Sequence, residues 1–421
     1  MGPRFSGRAV RQRHLVMALL CALCVILYID RICISLALPA IQDELEIAPE
    51  LLGWISVAFS ISYALFEIPS GHLGDRRGAR AILTRITIWW SVFTALTGAA
   101  MGFGSLLITR FLFGAGEAGA WPNASSVVSK WFPSHQRARA MGIFGAATAI
   151  GGGLSPLIVI PIQRAYGWRA SFFAFAVAGV VWATVWYAWF RDTPAEKGVP
   201  TDELAELGRV PPRASNAIRW SVALRQPSMW GLIAMDFCYL YTAFFTVFWL
   251  PTYLVKGRGF TNDELRWTAV IWVGAMIGNL IGGVISDGSV RRLGLRAGRR
   301  AVGAAGMVIV ASGILVAALT DSKEVAIGAF TLCAIIGGVV QANAFATCID
   351  LGGRHVGTVA GAMNTAAQLG GALSAIAFGY LVKLGDSYDL PLYVMATVTL
   401  LGTAGWWAID ASKLLVPDDG L

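Results

Sequence analysis

Long apolar runs limit this chain to one class of fold more than any other feature does. A helix needs about 20 mostly apolar residues to cross a bilayer, and the 421-residue chain contains twelve such runs. Only 14% of its residues are charged, against about 25% in soluble proteins. The runs lie near residues 15–38, 51–71, 81–103, 105–128, 138–162, 170–190, 229–254, 266–286, 301–320, 325–349, 356–382 and 390–410. The sequence therefore predicts an all-α integral membrane protein of twelve transmembrane helices.

The distribution of charge predicts which ends of these helices face the cytoplasm. Loop 1–2 holds four acids and no base, whereas bases gather before span 1, in loops 2–3, 4–5 and 8–9, and in the central segment. Cytoplasmic loops carry the excess of Lys and Arg, so both termini are expected in the cytoplasm. Because topology explains the net charge of +8, no nucleic-acid partner is expected.

The first apolar run follows several bases, as a signal peptide would. These bases are Arg4, Arg8, Arg11 and Arg13. The run is too long for a signal peptide and is interrupted by Asp30 and Arg31. We therefore interpret it as a first span that is retained.

The chain divides into two similar halves around a polar segment. Residues 191–228 contain five prolines and charges of both signs, which is typical of a linker. Residues 1–190 and 229–421 then each form a six-helix bundle. "GHLGDRRG" (71–78) ends span 2 and "GVISDGSVRR" (283–292) ends span 8, which places Asp75 and Asp287 at equivalent positions. Repeated halves of this kind place a binding site at the midplane between them.

Ionisable side chains within the spans mark the candidate site, because a charge at the centre of a membrane is costly unless it has a role. They are Asp30, Arg31, Glu67, Arg110, Glu117 and Asp236. Arg110 and Glu117 are seven residues apart and therefore share one helix face. They could pair directly or through another group, and a static ion pair that fixes helix packing remains an alternative.

Span 1 presents a polar stripe of Tyr28, Arg31 and Ser35. The planar guanidinium of Arg31 suits bidentate binding of a carboxylate, and Tyr28 adds a hydroxyl. Asp30 lies about 100° round the helix and faces a different neighbour. A carboxyl group there could exchange a proton, although charges that only hold helices together are the alternative.

Amides in the second half could bind a polyhydroxylated molecule. Asn364 and Gln368 share a face of span 11, and Gln341 and Asn343 interrupt span 10. Buried amides need hydrogen-bond partners, so helix–helix hydrogen bonds are the alternative interpretation. The sequence assigns no role to Glu67 or Asp236.

Four motifs carry a resemblance to a known family. "GHLGDRRGAR" (71–80) resembles the loop 2–3 signature of the major facilitator superfamily, and "RFLFGAGEAG" (110–119) resembles its span-4 motif. With "YIDR" (28–31) and "KWFP" (130–133), the chain resembles the anion:cation symporter branch over nearly its whole length. That branch includes bacterial galactonate, glucarate and hexuronate symporters and, more distantly, sialin and the vesicular glutamate transporters.

The resemblance implies a role for individual residues. Arg31, Tyr28 and Tyr63 would bind the substrate, Asp30 and Glu117 would be the protonatable pair, and Arg110 would balance Glu117. The loop signature implies conformational gating by Asp75, Arg76 and Asp287, with interfacial anchoring as the alternative. The chain departs from the branch at Gln136, where Glu is common, and at Glu67, where Gln is common. Ser155 and Pro156 replace the Gly-Pro end of the antiporter motif, which favours symport.

The expected function is proton-driven symport of a small organic anion, such as an aldonate, uronate or aldarate, across a bacterial inner membrane. Uncoupled or exchange transport of another carboxylate, including aromatic acids, is the nearest alternative, and a membrane substrate sensor is a more distant one. We expect a monomer in the bilayer with no cofactor beyond the proton gradient. Cys21 and Cys24 have metal-like spacing but no partner pair, and no enzyme motif is present.

Overall fold

The computed structural model describes residues 12–207, 211–261 and 264–417. The described residues are predominantly helical and contain no β-strand. Seven helical stretches among them are long and apolar enough on their own to cross a membrane, and two of these contain two predicted spans each. Arg4, Arg8 and Arg11 lie outside the described residues.

Seven helices build the first half. They are α1 (Gln12–Glu44), α2 (Pro49–Arg77), α3 (Ala79–Gly98), α4 (Phe103–Glu117), α5 (Ala120–Trp131), α6 (Arg137–Tyr166) and α7 (Trp168–Trp189). Helices α4 and α5 together form the fourth predicted span. The central segment that follows contains two short helices, α8 (Thr201–Leu207) and α9 (Trp220–Ala223).

Six helices build the described part of the second half. It contains α10 (Pro227–Phe248), α11 (Leu250–Thr252), α12 (Thr268–Leu319), α13 (Lys323–Gly352), α14 (Val356–Gly385) and α15 (Leu390–Ala408). A π-helical turn (Tyr253–Gly257) extends α11. Every predicted span therefore coincides with helix, and the predicted all-α membrane fold is confirmed.

Two predicted boundaries differ from the structure, and glycine explains both. The loop expected between residues 286 and 301 is helical, since α12 turns at Gly294, where φ is 79°. The helix expected over residues 105–128 is broken at Gly119, where φ is 95°. Only glycine adopts such angles without strain. A side chain at Gly119 would also lie 2.3 Å from Cβ of Ser70.

The outer surface of the bundle is apolar. Large side chains such as Trp54, Leu157, Trp230 and Leu401 are more than half exposed, as lipid-facing residues must be when a helix satisfies its own backbone. The interior contains large buried aromatic side chains, among them Trp90, Trp131 and Trp186. The chain is a multi-pass membrane protein.

Two carboxylates join the halves at one end of the bundle. We call this the linker end, because Arg13 at the start of α1 binds Glu206 of the linker helix α8 there, at 2.9 Å. Asp75 of α2 accepts hydrogen bonds from the backbone nitrogens of Gly357 and Thr358 and from the Thr358 hydroxyl, at 2.7–2.8 Å. All three donors belong to the first turn of α14, where a negative charge is favoured by the helix dipole.

The second half repeats the arrangement. Asp287 of α12 accepts hydrogen bonds from the backbone nitrogens of Ala138 (3.2 Å) and Arg139 (2.9 Å), in the first turn of α6. Each half therefore extends one carboxylate to a helix start in the other half. The other side-chain hydrogen bonds between the described parts of the halves lie at this end or near the middle of α2 and α14.

Glycines allow the helix backbones to touch at the linker end. A side chain at Gly71 of α2 would lie 2.1 Å from the carbonyl oxygen of Gly357 on α14. A side chain at Gly142 of α6 would lie 2.2 Å from the carbonyl oxygen of Asn279 on α12. Small residues permit such close packing inside membranes. The structure is therefore of a state that is closed at the linker end.

Replacement of Asp75 with alanine is expected to open the linker end. Hydrogen bonds to a charged acceptor contribute about 1.5–3 kcal/mol each, and water recovers part of that loss, so opening should increase at least about tenfold. Cys348 of α13 reports it, because its thiol is fully buried and close enough to Asp75 to sense its charge. The measurement is the rate of maleimide labelling of Cys348 in a variant that lacks the other five cysteines.

The matched control is Glu44→Ala. Like Asp75, Glu44 is a carboxylate that accepts hydrogen bonds at one end of the bundle. Its donors are Trp168 and Arg169, and it lies at the end opposite the linker end. Equal labelling rates in the two variants would contradict the assignment of Asp75 as a clamp on the linker end.

Candidate functional site

An ion pair lies near the middle of the first half. Nε of Arg31 on α1 donates to Oε1 of Glu117 on α4 over 2.5 Å. The Glu117 side chain is 1% exposed and that of Arg31 is 20% exposed. One terminal nitrogen of Arg31 (Nη2) and the second oxygen of Glu117 (Oε2) have no hydrogen-bond partner. The pair is therefore only half satisfied and retains donor and acceptor capacity for a ligand or a proton.

Aromatic rings surround the guanidinium of Arg31. Its Cζ lies 4.8 Å from the ring centroid of Tyr63, 5.2 Å from that of Phe59 and 5.5 Å from that of Tyr28. Contacts of this kind stabilise a cation by about 0.5–2 kcal/mol. They hold the guanidinium in place by its faces, while on the edge formed by Nε and Nη2 only Nη2 is left without a partner.

A second pair of charges lies behind the first. Asp30 faces α3 and α4, where Thr94 and Arg110 are its neighbours. Both carboxyl oxygens of Asp30 lack hydrogen-bond partners, as does Nε of Arg110. Arg110 packs on Phe113, with 4.1 Å between Cζ and the ring centroid. The two side chains are buried next to each other without a direct hydrogen bond.

Of the two arrangements expected for Arg110 and Glu117, direct pairing or pairing through another group, the structure does not show the direct one. Arg110 influences Glu117 electrostatically, but the direct partner of Glu117 is Arg31. Glu117 is the last residue of α4, directly before the break, and its side chain binds α1 while Arg110 lies beside Asp30.

The side chain of Asn123, in the same span, forms hydrogen bonds at the break. The Asn123 amide donates to the carbonyl oxygens of Gly119 (2.8 Å) and Ser70 (3.3 Å), and Pro122 follows the break. Irregular backbone in a membrane is tolerated where it is buried in protein or lines a cavity. The Asn123 side chain thus ties the start of α5 to α2 and adds a second donor to the Gly119 carbonyl oxygen, which the backbone nitrogen of Asn123 already bonds at 2.9 Å.

We call Asp30, Arg31, Arg110 and Glu117, with the aromatic rings around Arg31 and the neighbouring Glu67, the central group. The second half contacts the central group through Asn364 of α14. Its amide donates a hydrogen bond to Glu67 of α2, one turn from Tyr63. Thr365 donates to the Ala64 carbonyl oxygen at 3.3 Å, which fixes the antiparallel register of the two helices. Gln368 is one turn further from the linker end and therefore lies level with Tyr63. Its amide is partly exposed.

Gln341 of α13 is also partly exposed. It lies one turn from Gly337, which faces the Tyr239 ring of α10; a side chain at Gly337 would be 3.6 Å from that ring. Tyr239 in turn is electrostatically close to Asp236 and to Tyr28. Gln341 is thus next to a tyrosine that faces the first half.

One residue predicted to bind the substrate, Asn343, lies apart from the others. Asn343 is fully buried and binds Ser286 (2.6 Å) and the carbonyl oxygen of Arg299 (2.9 Å). It supports the Arg299 side chain, which pairs with Asp287 and Asp350, so its side chain is engaged at the linker end and not at the central group. Arg76 lies in the last turn of α2, as predicted, and is exposed next to Asp75, so its gating role stays a prediction.

The sequence indicated Glu67 without a role and gave no signal for Phe59 and Tyr239. The role of Glu67 depends on an amide partner that is 297 positions away in the chain. Phe59 and Tyr239 were missed because an aromatic residue in an apolar helix gives no signal of its own. The i, i+4 spacing of Phe59 and Tyr63, on the helix that also carries Glu67, is the pattern that could have indicated them.

Carboxyl groups outnumber guanidinium groups in this part of the structure. Within the spans, Asp30, Glu67, Glu117 and Asp236 accompany Arg31 and Arg110. The described residues contain no cluster of three or more His, Cys, Asp or Glu side chains that could hold a metal ion. The chemistry that this arrangement supports is binding of an acid group at Arg31 and exchange of protons at carboxyls.

The amino-acid sequence is similar to those of known membrane transporters. The family model of the Major Facilitator Superfamily matches residues 20–375. A protein named as a probable sulfoacetate transporter of Cupriavidus necator is 32% identical over 97% of this chain and 96% of its own. The hexuronate transporter of Bacillus subtilis is 31% identical over 85% of each chain.

A solved structure supports the fold. The proton:xylose symporter XylE bound to 6-bromo-6-deoxy-D-glucose superimposes with a TM-score of 0.74 over 94% of this chain and 95% of that one, at 13% identity. The resemblance to bacterial sugar-acid transporters noted in the sequence is confirmed by the relatives above. The chain therefore belongs to the Major Facilitator Superfamily and is a membrane transporter, not an enzyme.

Proposed function

We propose that this protein imports a small organic anion, in particular a sugar acid such as an aldonate, uronate or aldarate, together with protons. It works by alternating access in a bacterial inner membrane, with the linker end and both termini in the cytoplasm. It acts as a monomer and uses the proton gradient in place of any cofactor.

The observation that carries the proposal is the ion pair between Arg31 and Glu117. In a state closed at the linker end, the cation best suited to bind a carboxylate is held by a carboxylate of the protein itself. A substrate anion that takes both donors of the Nε/Nη2 edge displaces Glu117 from Nε. Glu117 would then be a buried charge without a partner, which costs several kcal/mol unless it takes up a proton.

Substrate binding and proton binding are therefore linked at one residue. Protonation of Glu117 releases Arg31 to the substrate, and the bound substrate favours the protonated form of Glu117 in return. Asp30 and Arg110 lie beside this pair and offer a second place for a proton. When the clamps of Asp75 and Asp287 release, substrate and proton reach the cytoplasm together.

The relatives support the substrate class. The two described above are named for hexuronate and sulfoacetate, and both substrates carry an acid group that could bind Arg31. Tyr28, Tyr63, Gln341, Asn364 and Gln368 would supply hydroxyl and amide groups to a polyhydroxylated chain. The hexuronate relative favours a sugar acid, and the half-buried amides on α13 and α14 support that choice.

Uncoupled or exchange transport is the second candidate. It would follow if Glu117 and Arg31 stay paired throughout and the substrate binds elsewhere. Nη2 of Arg31 and Oε2 of Glu117 have no hydrogen-bond partner in the structure. Because the first could bind a substrate oxygen and the second a proton, they favour the coupled mechanism.

Uptake into proteoliposomes tests the function. Labelled aldonates, uronates, aldarates, aromatic acids and short sulfonates are offered with and without an inward proton gradient. We expect accumulation of one class above equilibrium only when the gradient is present. Equilibration that is indifferent to the gradient would establish the uncoupled alternative.

Substitution Arg31→Lys is expected to weaken substrate binding by about 10- to 150-fold, because one charge-assisted bond of about 1.5–3 kcal/mol is lost with the planar edge. Equilibrium binding of the accepted acid to purified protein measures it. The control is Arg164→Lys, at an exposed position near the far end of α6. Unchanged affinity in the Arg31 variant would move the anion site elsewhere.

Substitution Glu117→Gln is expected to remove the pH dependence of substrate affinity. In the native protein, rising pH ionises Glu117, which then competes for Arg31, so affinity falls as pH rises. Glutamine remains neutral, and the dissociation constant should become flat over the same range. Exchange should also survive better than net uptake, and an equal loss of both would argue against a coupling role.

A further inference from the structure

Glu67 is a buried carboxyl group at the contact between the two halves. Its side chain is fully buried on α2, and one oxygen accepts a hydrogen bond from the Asn364 amide of α14. The other oxygen, Oε2, has no hydrogen-bond partner. The helices are in backbone contact at this level, since a side chain at Gly361 would lie 2.9 Å from the carbonyl oxygen of Glu67.

Asp236 of α10 is a second buried carboxyl group on the same side of the site. It is 3% exposed, and the structure gives it no hydrogen bond or ion pair with any described residue. It is close enough to Glu67 for the two negative charges to repel each other. Tyr239 and Cys348 are its other titratable neighbours.

No cation is left to neutralise these two groups. Arg31 is near Glu67, but within the described spans Arg31 is paired with Glu117 and Arg110 lies beside Asp30. Glu67 and Asp236 therefore have no arginine of their own. Two ionised carboxylates buried together without a cation would cost several kcal/mol each, so this state requires a bound positive charge.

We propose that Glu67 and Asp236 form a second proton-binding site, separate from the pair of Asp30 and Glu117. This inference rests on the proposed proton symport and adds protons to its stoichiometry. In the state closed at the linker end, a proton taken from the opposite side of the membrane is bound by this buried pair, with the unpartnered Oε2 of Glu67 available to carry it.

The position of Glu67 explains how the proton is released. Glu67 lies two turns from Asp75 on α2, and both residues bind α14. When the linker end opens, the bond to Asn364 breaks together with the Asp75 clamp, and water reaches Glu67 from the linker side. The proton passes to that water, and Glu67 and Asp236 lose it before the linker end closes again.

The test is the number of protons moved per substrate, obtained from the reversal potential of transport in proteoliposomes at a fixed substrate gradient. The double variant Glu67→Gln, Asp236→Asn should still move substrate with protons, but with a ratio lower by at least one proton. The control is Thr365→Val, which removes a neighbouring bond between the same helices and should leave the ratio unchanged.

The outcomes separate this inference from the proposed function. A native protein that moves no protons would overturn both. A native protein that is coupled, with the same ratio in the double variant, would overturn the second site alone and leave the Glu117 mechanism in place. A ratio lowered to the same extent by Thr365→Val would also overturn it, because helix contact and not titration would then set the ratio.

A measurement without transport covers the case in which the double variant is inactive. Infrared difference spectra of the purified single variants Glu67→Gln and Asp236→Asn, between acid and alkaline pH, should each lose intensity in the carbonyl stretch of protonated carboxyl groups. If neither variant loses intensity there, Glu67 and Asp236 bind no proton in the accessible range and the proposal is wrong.

Discussion

The contact between Arg31 and Glu117 is the interaction on which the proposed mechanism depends. Removal of either partner from a buried pair costs about 3–5 kcal/mol, because the remaining charge is left without compensation. In the proposed mechanism Arg31 therefore stays paired with a carboxylate, which is either Glu117 or a substrate. Exchange between these two partners, with a proton as compensation for Glu117, would couple substrate transport to proton transport.

The rest of the first half serves to place that pair. Glu117 is the last residue of α4, before the break at Gly119, and its side chain reaches Arg31 on α1. Phe59 and Tyr63 hold the guanidinium from α2, the same helix that carries Glu67 and Asp75. One helix thus contacts the binding group, a second carboxyl site and the clamp at the linker end, so movement of α2 relative to α14 affects all three.

Much of this could be predicted from the sequence, for identifiable physical reasons. The twelve spans follow from the length of apolar runs, and the roles of Asp75 and Asp287 as equivalent positions follow from a repeated motif. The α-helical period correctly separated the neighbours of Asp30 from those of Arg31. The direct partner of Glu117 could not be chosen from the sequence, because a helical period shows which residues share a face of one helix but not which cation of another helix lies nearest. The sequence placed Asn343 in the substrate site, because an amide in an apolar span gives the same pattern whether it binds a substrate or the backbone of Arg299.

The central claim is that a substrate anion displaces Glu117 from Arg31 and that Glu117 then takes up a proton. The most direct test is calorimetric titration of the purified protein with its transported acid, in two buffers of different ionisation enthalpy, at a pH where Glu117 is ionised. The account predicts net proton uptake from the buffer on substrate binding, which Glu117→Gln reduces. Substrate binding with no proton uptake in the native protein would contradict it.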